Sequence, residues 1–308
     1  MVRRIALALV ILIAPACGSL PVTGSAPGSV ASPSTSRVEP TSTTTTTAVA
    51  TTTPGASAEP WALVVVGDFG DGGEAERAVA DAVAAWVLEH PETRALVTTG
   101  DNFYTADVAA AWLEPYGWLD GAGLGVWPVP GNHDLETPEQ WLANVAAFGS
   151  FPRWRTESVG ETTLVLLDSN QMGSGEQQAW LERITSDLAG RPWIAVFHHP
   201  WVSCSIHGST PGVDERWGDL LAGATLVLNG HDHNYQRFRT ESGWSIVTGG
   251  GGRRLYGLTE CPPGTPEQVA AAESFHFLTI VGGSGVITVE AHEVDGTVFD
   301  SVVVRLGA

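Results

Sequence analysis

The chain has 308 residues, with 34 acidic side chains against 15 basic ones and a net charge of −19. Every base is an arginine, and this balance argues against a nucleic-acid partner, because a phosphate backbone demands clustered positive charge. A hydrophobic share of 43% with 12 tryptophans suffices for a buried core, which excludes disorder for most of the chain but not for residues 1–60. Those residues hold Arg3, Arg4 and Arg37 against Glu39 and Glu59, a net of +1, so residues 61–308 carry −20.

Arg3 and Arg4 precede an apolar run from Ile5 to Ala14, followed by Pro15-Ala16-Cys17-Gly18-Ser19. A basic start, a short apolar stretch and small residues describe a secretory signal. The run is shorter than the roughly 20 residues a membrane-spanning helix needs. The small residues before Cys17 resemble a bacterial lipobox, in which the cysteine is lipidated after cleavage, so residues 1–17 are expected to be a signal peptide with a lipobox. An ordinary signal peptide with an incidental cysteine is the alternative. Residues 18–60 are rich in Ser, Thr, Pro, Ala and Gly, with nine threonines between Thr41 and Thr53. Such a segment is expected to be a disordered tether with a reach of roughly 35 Å. The expected localisation is therefore export, as a cell-envelope lipoprotein or an extracellular protein, with membrane contact through a lipid anchor only. Cys204 and Cys261 then remain in an oxidising compartment, either as a disulfide or as two separate buried thiols.

From Trp61 the pattern changes. Ala62–Val66 is an apolar run ending at Gly67-Asp68, which reads as a buried strand with an aspartate at its tip. Residues 74–90 follow with Val79, Val83, Trp86 and Val87 at helical spacing, and Pro91 beyond. Residues 95–99 read as the next strand, ending at Gly100-Asp101. Apolar runs at 125–129, 163–167, 193–197 and 225–228 each end near Gly, Asp, Asn or His, with helices expected around 138–148, 175–188 and 212–222. Beyond about residue 240 the character is β, at 244–248, 275–281, 285–291 and 297–305. The pattern predicts one α/β domain over 61–308.

Five segments carry the chemistry: Gly67-Asp68-Phe69-Gly70, Gly100-Asp101-Asn102-Phe103-Tyr104, Gly131-Asn132-His133-Asp134, Phe197-His198-His199-Pro200 and Gly230-His231-Asp232-His233. Each follows an apolar run, and glycine lets the backbone turn sharply off a strand beside a bound group. One such Gly-Asp is ordinarily a turn. Five ligand clusters at successive strand ends point to metal. Carboxylate, imidazole, amide and phenol are present and thiolate is absent, which favours iron, zinc or manganese. The donors exceed what one ion needs, so two ions sharing a carboxylate are expected. His90, at a helix end, and His276 and His292, in the β-rich tail, read as structural.

These segments resemble the calcineurin-like metallophosphoesterases over roughly residues 61–235. Gly-Asp-Asn-Phe-Tyr with Gly-His-Asp-His-Asn narrows the resemblance to the small, single-domain purple acid phosphatases. Gly70 stands where many relatives place a metal-binding histidine, and Tyr104 supplies the compensating ligand, as in the purple enzymes. The resemblance implies an α/β fold: a two-sheet β-sandwich flanked by helices in four αββα layers. It implies Asp68, Asp101, Tyr104 and His233 on a first ion, Fe(III) by the hard phenolate donor. Asp101 would bridge to a second ion, Fe(II), Zn or Mn, held by Asn132, His198 and His231. His198 rather than His199 is the implied ligand, two residues before the proline. His133 and His207 are the implied catalytic residues, and Asn102, Asp134 and Asn234 either orient ligands or cap turns.

The implied activity is an acid phosphatase-like hydrolase, cleaving small phosphate monoesters by metal-activated hydroxide attack. His133, with His207, would stabilise the transition state or protonate the leaving alkoxide. A phosphodiesterase or nucleotidase with the same binuclear site is the alternative, and a non-catalytic surface binding protein a more distant one. Gly249–Gly252 before Arg253-Arg254 lacks the lysine and helix of a nucleotide loop, and reads as a turn toward the site. Either arginine is a candidate contact to an anionic substrate. Oligomeric state is left open by the sequence.

Overall fold

The computed structural model describes residues 59–241 and 243–306, so the expected signal and nearly all of the tether lie outside the described residues. β1 (Trp61–Val66) runs parallel to β2 (Thr93–Thr98), which pairs in parallel with the short β3 (Gly125–Trp127). On its other side β1 pairs antiparallel with β11 (His276–Gly283), and β12 (Val286–Glu293) and β13 (Val298–Arg305) complete the six-stranded sheet.

The second sheet has seven strands. β5 (Thr162–Leu166), β6 (Trp193–Val196), β7 (Leu226–Asn229) and β9 (Trp244–Thr248) are parallel neighbours in that order. β4 (Arg155–Val159) adds antiparallel at one edge, and β8 (Tyr235–Arg239) then β10 (Gln268–Ala272) at the other.

Alternation along the strands builds three apolar layers. Leu63 and Val65 of β1 meet Leu164, Ile194, Leu226 and Ile246 between the sheets. The intervening Val64 and Val66 pack outward against α1 (Glu74–Glu89), a helical stretch over residues 109–122, and α2 (Pro138–Phe148). Val165, Ala195 and Val227 point outward to α3 (Gly175–Asp187) and α4 (Pro211–Leu221). Strands covered on both faces must be apolar at every position, which explains the unbroken runs. The result is the expected four-layer αββα sandwich.

Three strands and one helical stretch escape hydropathy reading. β8 carries Gln236 and Arg237, both buried and both partnered, so its polar letters hide its place inside the sheet. β4 is a polar edge strand and β10 is mostly alanine. The 109–122 stretch breaks into a π-turn at Ala109–Leu113 and two short helical pieces, which blurs its period.

Candidate metal centre

The parallel strands of both sheets deliver their C-terminal ends to one rim of the sandwich. β1 leads to Asp68, β2 to Asp101, β6 to His198 and β7 to His231. The tips are laced by backbone hydrogen bonds, Asp68 N to Gly100 O at 3.1 Å, Phe69 N to Asp101 O at 3.3 Å and Gly230 N to His198 O at 3.0 Å. Asp68, Asp101 and His231 hold φ of 57°, 51° and 72°, and Ser284 is the only other non-glycine with positive φ among the described residues. Such backbone is costly for a side-chain-bearing residue and tends to collect at functional sites. Gly70, at φ 63°, faces the Asn102 carbonyl so closely that a Cβ would collide with it. No side chain fits at this position, so it supplies no donor atom.

Two overlapping groups of donor atoms converge there: Asp68, Asp101 and His233, and Asp101, His198 and His231, each within 4.8 Å of one another. Asp101 belongs to both. Tyr104 joins the first group, its hydroxyl 3.0 Å from Asp101 Oδ2 and 3.0 Å from His233 Nε2. Asn132 joins the second, its Oδ1 3.1 Å from His198 Nε2.

Backbone N–H groups serve part of this rim, His231 N donating to Asp68 at 3.0 Å and His133 N to Asp101 Oδ1 at 2.9 Å. His198 Nδ1 donates to the Thr99 carbonyl at 2.9 Å, which leaves a lone pair on Nε2 in the neutral ring. That lone pair faces Asn132 Oδ1 at 3.1 Å, His231 Nδ1 at 3.1 Å and Asp101 Oδ1 at 3.3 Å. His233 repeats the arrangement: Nδ1 donates to the Arg254 carbonyl at 2.8 Å, and Nε2 faces Tyr104 and Asp68. Locked imidazoles aimed at buried carboxylates fit two cations, since a carbonyl that accepts from the other ring nitrogen and fixes the tautomer is the usual companion of a histidine ligand.

Electrostatics agree with that fit. Burial pushes the Asp68 carboxyl up, only partly offset by His233 and His198. Burial also works against Asp101, but the charge and hydrogen bond of His198 hold it below the usual carboxylate range. Burial, then Asp68 and Asp101, pushes the Tyr104 phenol well up. Burial would lower His198, yet Asp101 outweighs it and raises the imidazole to about 9. Burial and the neighbouring His198 hold His231 low, and His199 is held down to about 3 in the same way.

Asp134 ties the rim together. Its carboxylate accepts from Gly131 N at 2.7 Å, Phe103 N at 2.9 Å, Asn102 Nδ2 at 3.0 Å and Asn144 Nδ2 at 2.9 Å. Asn102 also donates to the Val129 carbonyl, and Asn234 to Ser205 Oγ and the Tyr256 carbonyl. All three residues therefore do more than cap a local turn.

His133 stands outside both donor groups, with its ring 4.6 Å from that of Tyr104 and its Nδ1 2.7 Å from Glu136 Oε2. His207 is exposed, its ring 4.3 Å from that of His231. His199 turns aside to Ser169 Oγ at 2.8 Å. His90 stacks on Trp86, while His276 and His292 are buried and belong to neither donor group.

Sequence reading overlooked Glu136 and Tyr256. Tyr256 stacks on His233 with ring centroids 3.9 Å apart and meets His207 edge-on at 5.3 Å. The i,i+3 spacing of His133 and Glu136 was a usable signal; Tyr256 had none. Cys204 and Cys261 form a disulfide. It joins the His207 loop to the Tyr256 loop, which are further paired by Thr259 N to Cys204 O and Ser205 Oγ to Gly257 O, both at 3.0 Å.

A helix-flanked double sheet whose strand tips gather Asp, Asn, Tyr and His donors defines the metallophosphoesterase class. Residues 54–235 match the family model for calcineurin-like phosphoesterases, and the chain belongs to that family, whose members act on phosphate esters with two metal ions. Over 78 residues the chain is 36% identical to tartrate-resistant acid phosphatase type 5 of Oryctolagus cuniculus, a match covering 25% of this chain and 24% of that protein. The fold resembles a purple acid phosphatase from yellow lupin (Lupinus luteus) seeds, with TM-score 0.69 and 16% identity over 80% of this chain and 54% of that one. It also resembles GAP50, the anchor in the inner membrane complex of Plasmodium, with TM-score 0.67 and 15% identity over 81% and 90% of the two chains.

Proposed function

We propose that the protein is an exported binuclear phosphatase of the purple acid type, hydrolysing small phosphate monoesters. The observation that carries this reading is the doubly shared Asp101, flanked by Tyr104 on one side and His198 on the other. Asp68, Asp101, Tyr104 and His233 would hold the first ion, Fe(III), because a phenol oxygen among carboxylates makes a hard, anionic pocket. Asn132, His198 and His231 would hold a second, divalent ion with Asp101.

When bound, the two ions supply Lewis acidity and a nucleophilic water at mildly acidic pH. His133 Nδ1 is committed to Glu136, so its Nε2 is free to carry the proton that the leaving alkoxide takes up. His207 and Tyr256 form the adjoining wall and limit the shape of the ester group. Asp134 and Asn102 hold the loops carrying Asp101, Asn132 and His133 in register.

Export draws support from Arg3, Arg4, the Ile5–Ala14 run and Cys17, and from a disulfide that suits an oxidising compartment. Anchoring would be through lipid on Cys17; among the described residues no helix is long and apolar enough to cross a membrane. Because this fold also serves an anchor protein, the fold alone does not imply catalysis; the donor set does.

The test is metal analysis of purified protein beside hydrolysis of nitrophenyl phosphate and bis(nitrophenyl) phosphate. Two ions per chain and preference for the monoester are expected. Diester preference would favour the phosphodiesterase reading, and metal-free, inert protein would remove the enzyme reading altogether.

A further inference from the structure

The loop from Gly249 to Tyr256 leaves β9 and crosses over the candidate metal centre. It is pinned along its length: Gly251 N to Gly67 O, Arg253 N to Asp68 O and Tyr256 N to His233 O, each at 2.9 Å. His233 Nδ1 adds a bond to the Arg254 carbonyl at 2.8 Å. Two consecutive arginines thus start from backbone that touches Asp68 and His233, and both side chains are exposed.

The Arg253 guanidinium lies over the Tyr104 ring, 4.6 Å from its centroid. Its Nη1 is steadied by Asp71 Oδ2 at 3.2 Å. The rest of the planar fork has no hydrogen-bond partner among the described residues. Arg254, unlike Arg253, has no ion pair among the described residues, although residues 61–308 carry an excess of acid. Such a domain repels an anion at long range, and Arg253, held at the rim by Asp71 and Tyr104, with Arg254 beside it in the chain, supplies attraction locally.

We propose that Arg253 and Arg254 form a receiving site for a second anionic group on the substrate, so that the preferred esters carry a carboxylate or a further phosphate beside the scissile one. The assignment rests on the phosphatase reading above. Guanidinium binds either anion through paired N–H donors, and the stacking on Tyr104 holds Arg253 near its working orientation.

The experiment compares propylphosphonate with phosphonopropionate, which has the same chain length and an added terminal carboxylate. Both are used as inhibitors of nitrophenyl phosphate hydrolysis and titrated calorimetrically into the metal-loaded protein. Phosphonopropionate should bind about tenfold more tightly, the size of one hydrogen-bonded charge pair. The difference should shrink as ionic strength rises. In an Arg253→Gln/Arg254→Gln double variant the two ligands should bind alike. Propane bisphosphonate binding above phosphonopropionate assigns the second anion as phosphate, and the reverse order as carboxylate.

Equal binding of the first two ligands to the unaltered protein overturns the proposal. So does a double variant that weakens both by the same factor, which would mark the arginines as a purely structural clamp. Failure of the phosphatase reading shows separately, as absent nitrophenyl phosphate hydrolysis, while the calorimetric comparison still decides the arginine site.

Discussion

His198 Nε2 and His231 Nδ1 face each other across 3.1 Å, and His198 has already given its Nδ1 proton to the Thr99 carbonyl from the opposite sheet. A contact of that length is satisfied by one proton shared between the two nitrogens or by a cation that both of them face. With no metal bound a proton fills the role: burial opposes it, but the charge and hydrogen bond of Asp101 outweigh burial and lift His198 to about 9.

Metal binding should therefore release protons. At pH 7 the metal-free His198 is charged, and a metal must displace that proton to reach Nε2. Affinity for the second ion should rise with pH up to about 9. Calorimetry in buffers of different ionisation enthalpy measures the release. His198→Ala should abolish it and lower the metal content from two ions toward one.

Tyr104 should give the loaded protein a violet colour through phenolate-to-Fe(III) charge transfer. Tyr104→Phe should be colourless while retaining Asp68, Asp101 and His233 as donors. A visible spectrum with iron analysis checks this. A colourless unaltered protein containing only zinc or manganese would count against Fe(III).

The disulfide should act on the substrate wall more than on the metals. Cys204 and Cys261 close a loop with a sequence separation of 57 and bind the His207 segment to the Tyr256 segment. In a Cys204→Ala/Cys261→Ala variant KM should rise several-fold, with a smaller fall in kcat and unchanged metal content. Loss of loop-closure entropy should cost about 2–4 kcal/mol of stability, read from denaturant unfolding.

His276 should contribute to acid sensitivity. It is buried, donates from Nδ1 to the Ser274 carbonyl at 2.8 Å and accepts from Thr248 Oγ1 at 3.0 Å. Burial lowers its pKa to about 4, against 6.5 for the free side chain. The unfolded chain takes up a proton that the folded one refuses, so stability is full above pH 6.5 and falls as pH drops toward 4. The loss amounts to about 3 kcal/mol. His276→Gln should flatten this part of the stability curve, measured as the difference in unfolding free energy from the unaltered protein at each pH.

Much of the fold was legible because buried parallel strands must be apolar at each position, so β1, β2, β6 and β7 stood out as runs. Pro138–Phe148 was equally plain, with Thr137 capping Gln140 N and proline in the first turn. β8 was hidden because Gln236 and Arg237 look like surface residues, and their burial is satisfied by Cys204 N and Asp300, far away in sequence. Asp68, Asp101, Asn132 and His231 were legible for a local reason as well: a glycine followed by Asp, Asn or His at the end of a run is a short-range pattern.

By itself, then, the sequence determined the chemical character of this protein: which residue types stand at the strand ends, and that they suit hard or borderline cations. Only the tertiary structure decided how they combine. That Asp101 serves both donor groups, that Thr99 fixes the proton of His198, and that Arg253 lies over Tyr104 all depend on strand order and on the approach of two sheets. A hydropathy period records which face of a strand is buried. It carries no information about which distant strand end will lie 3 Å away.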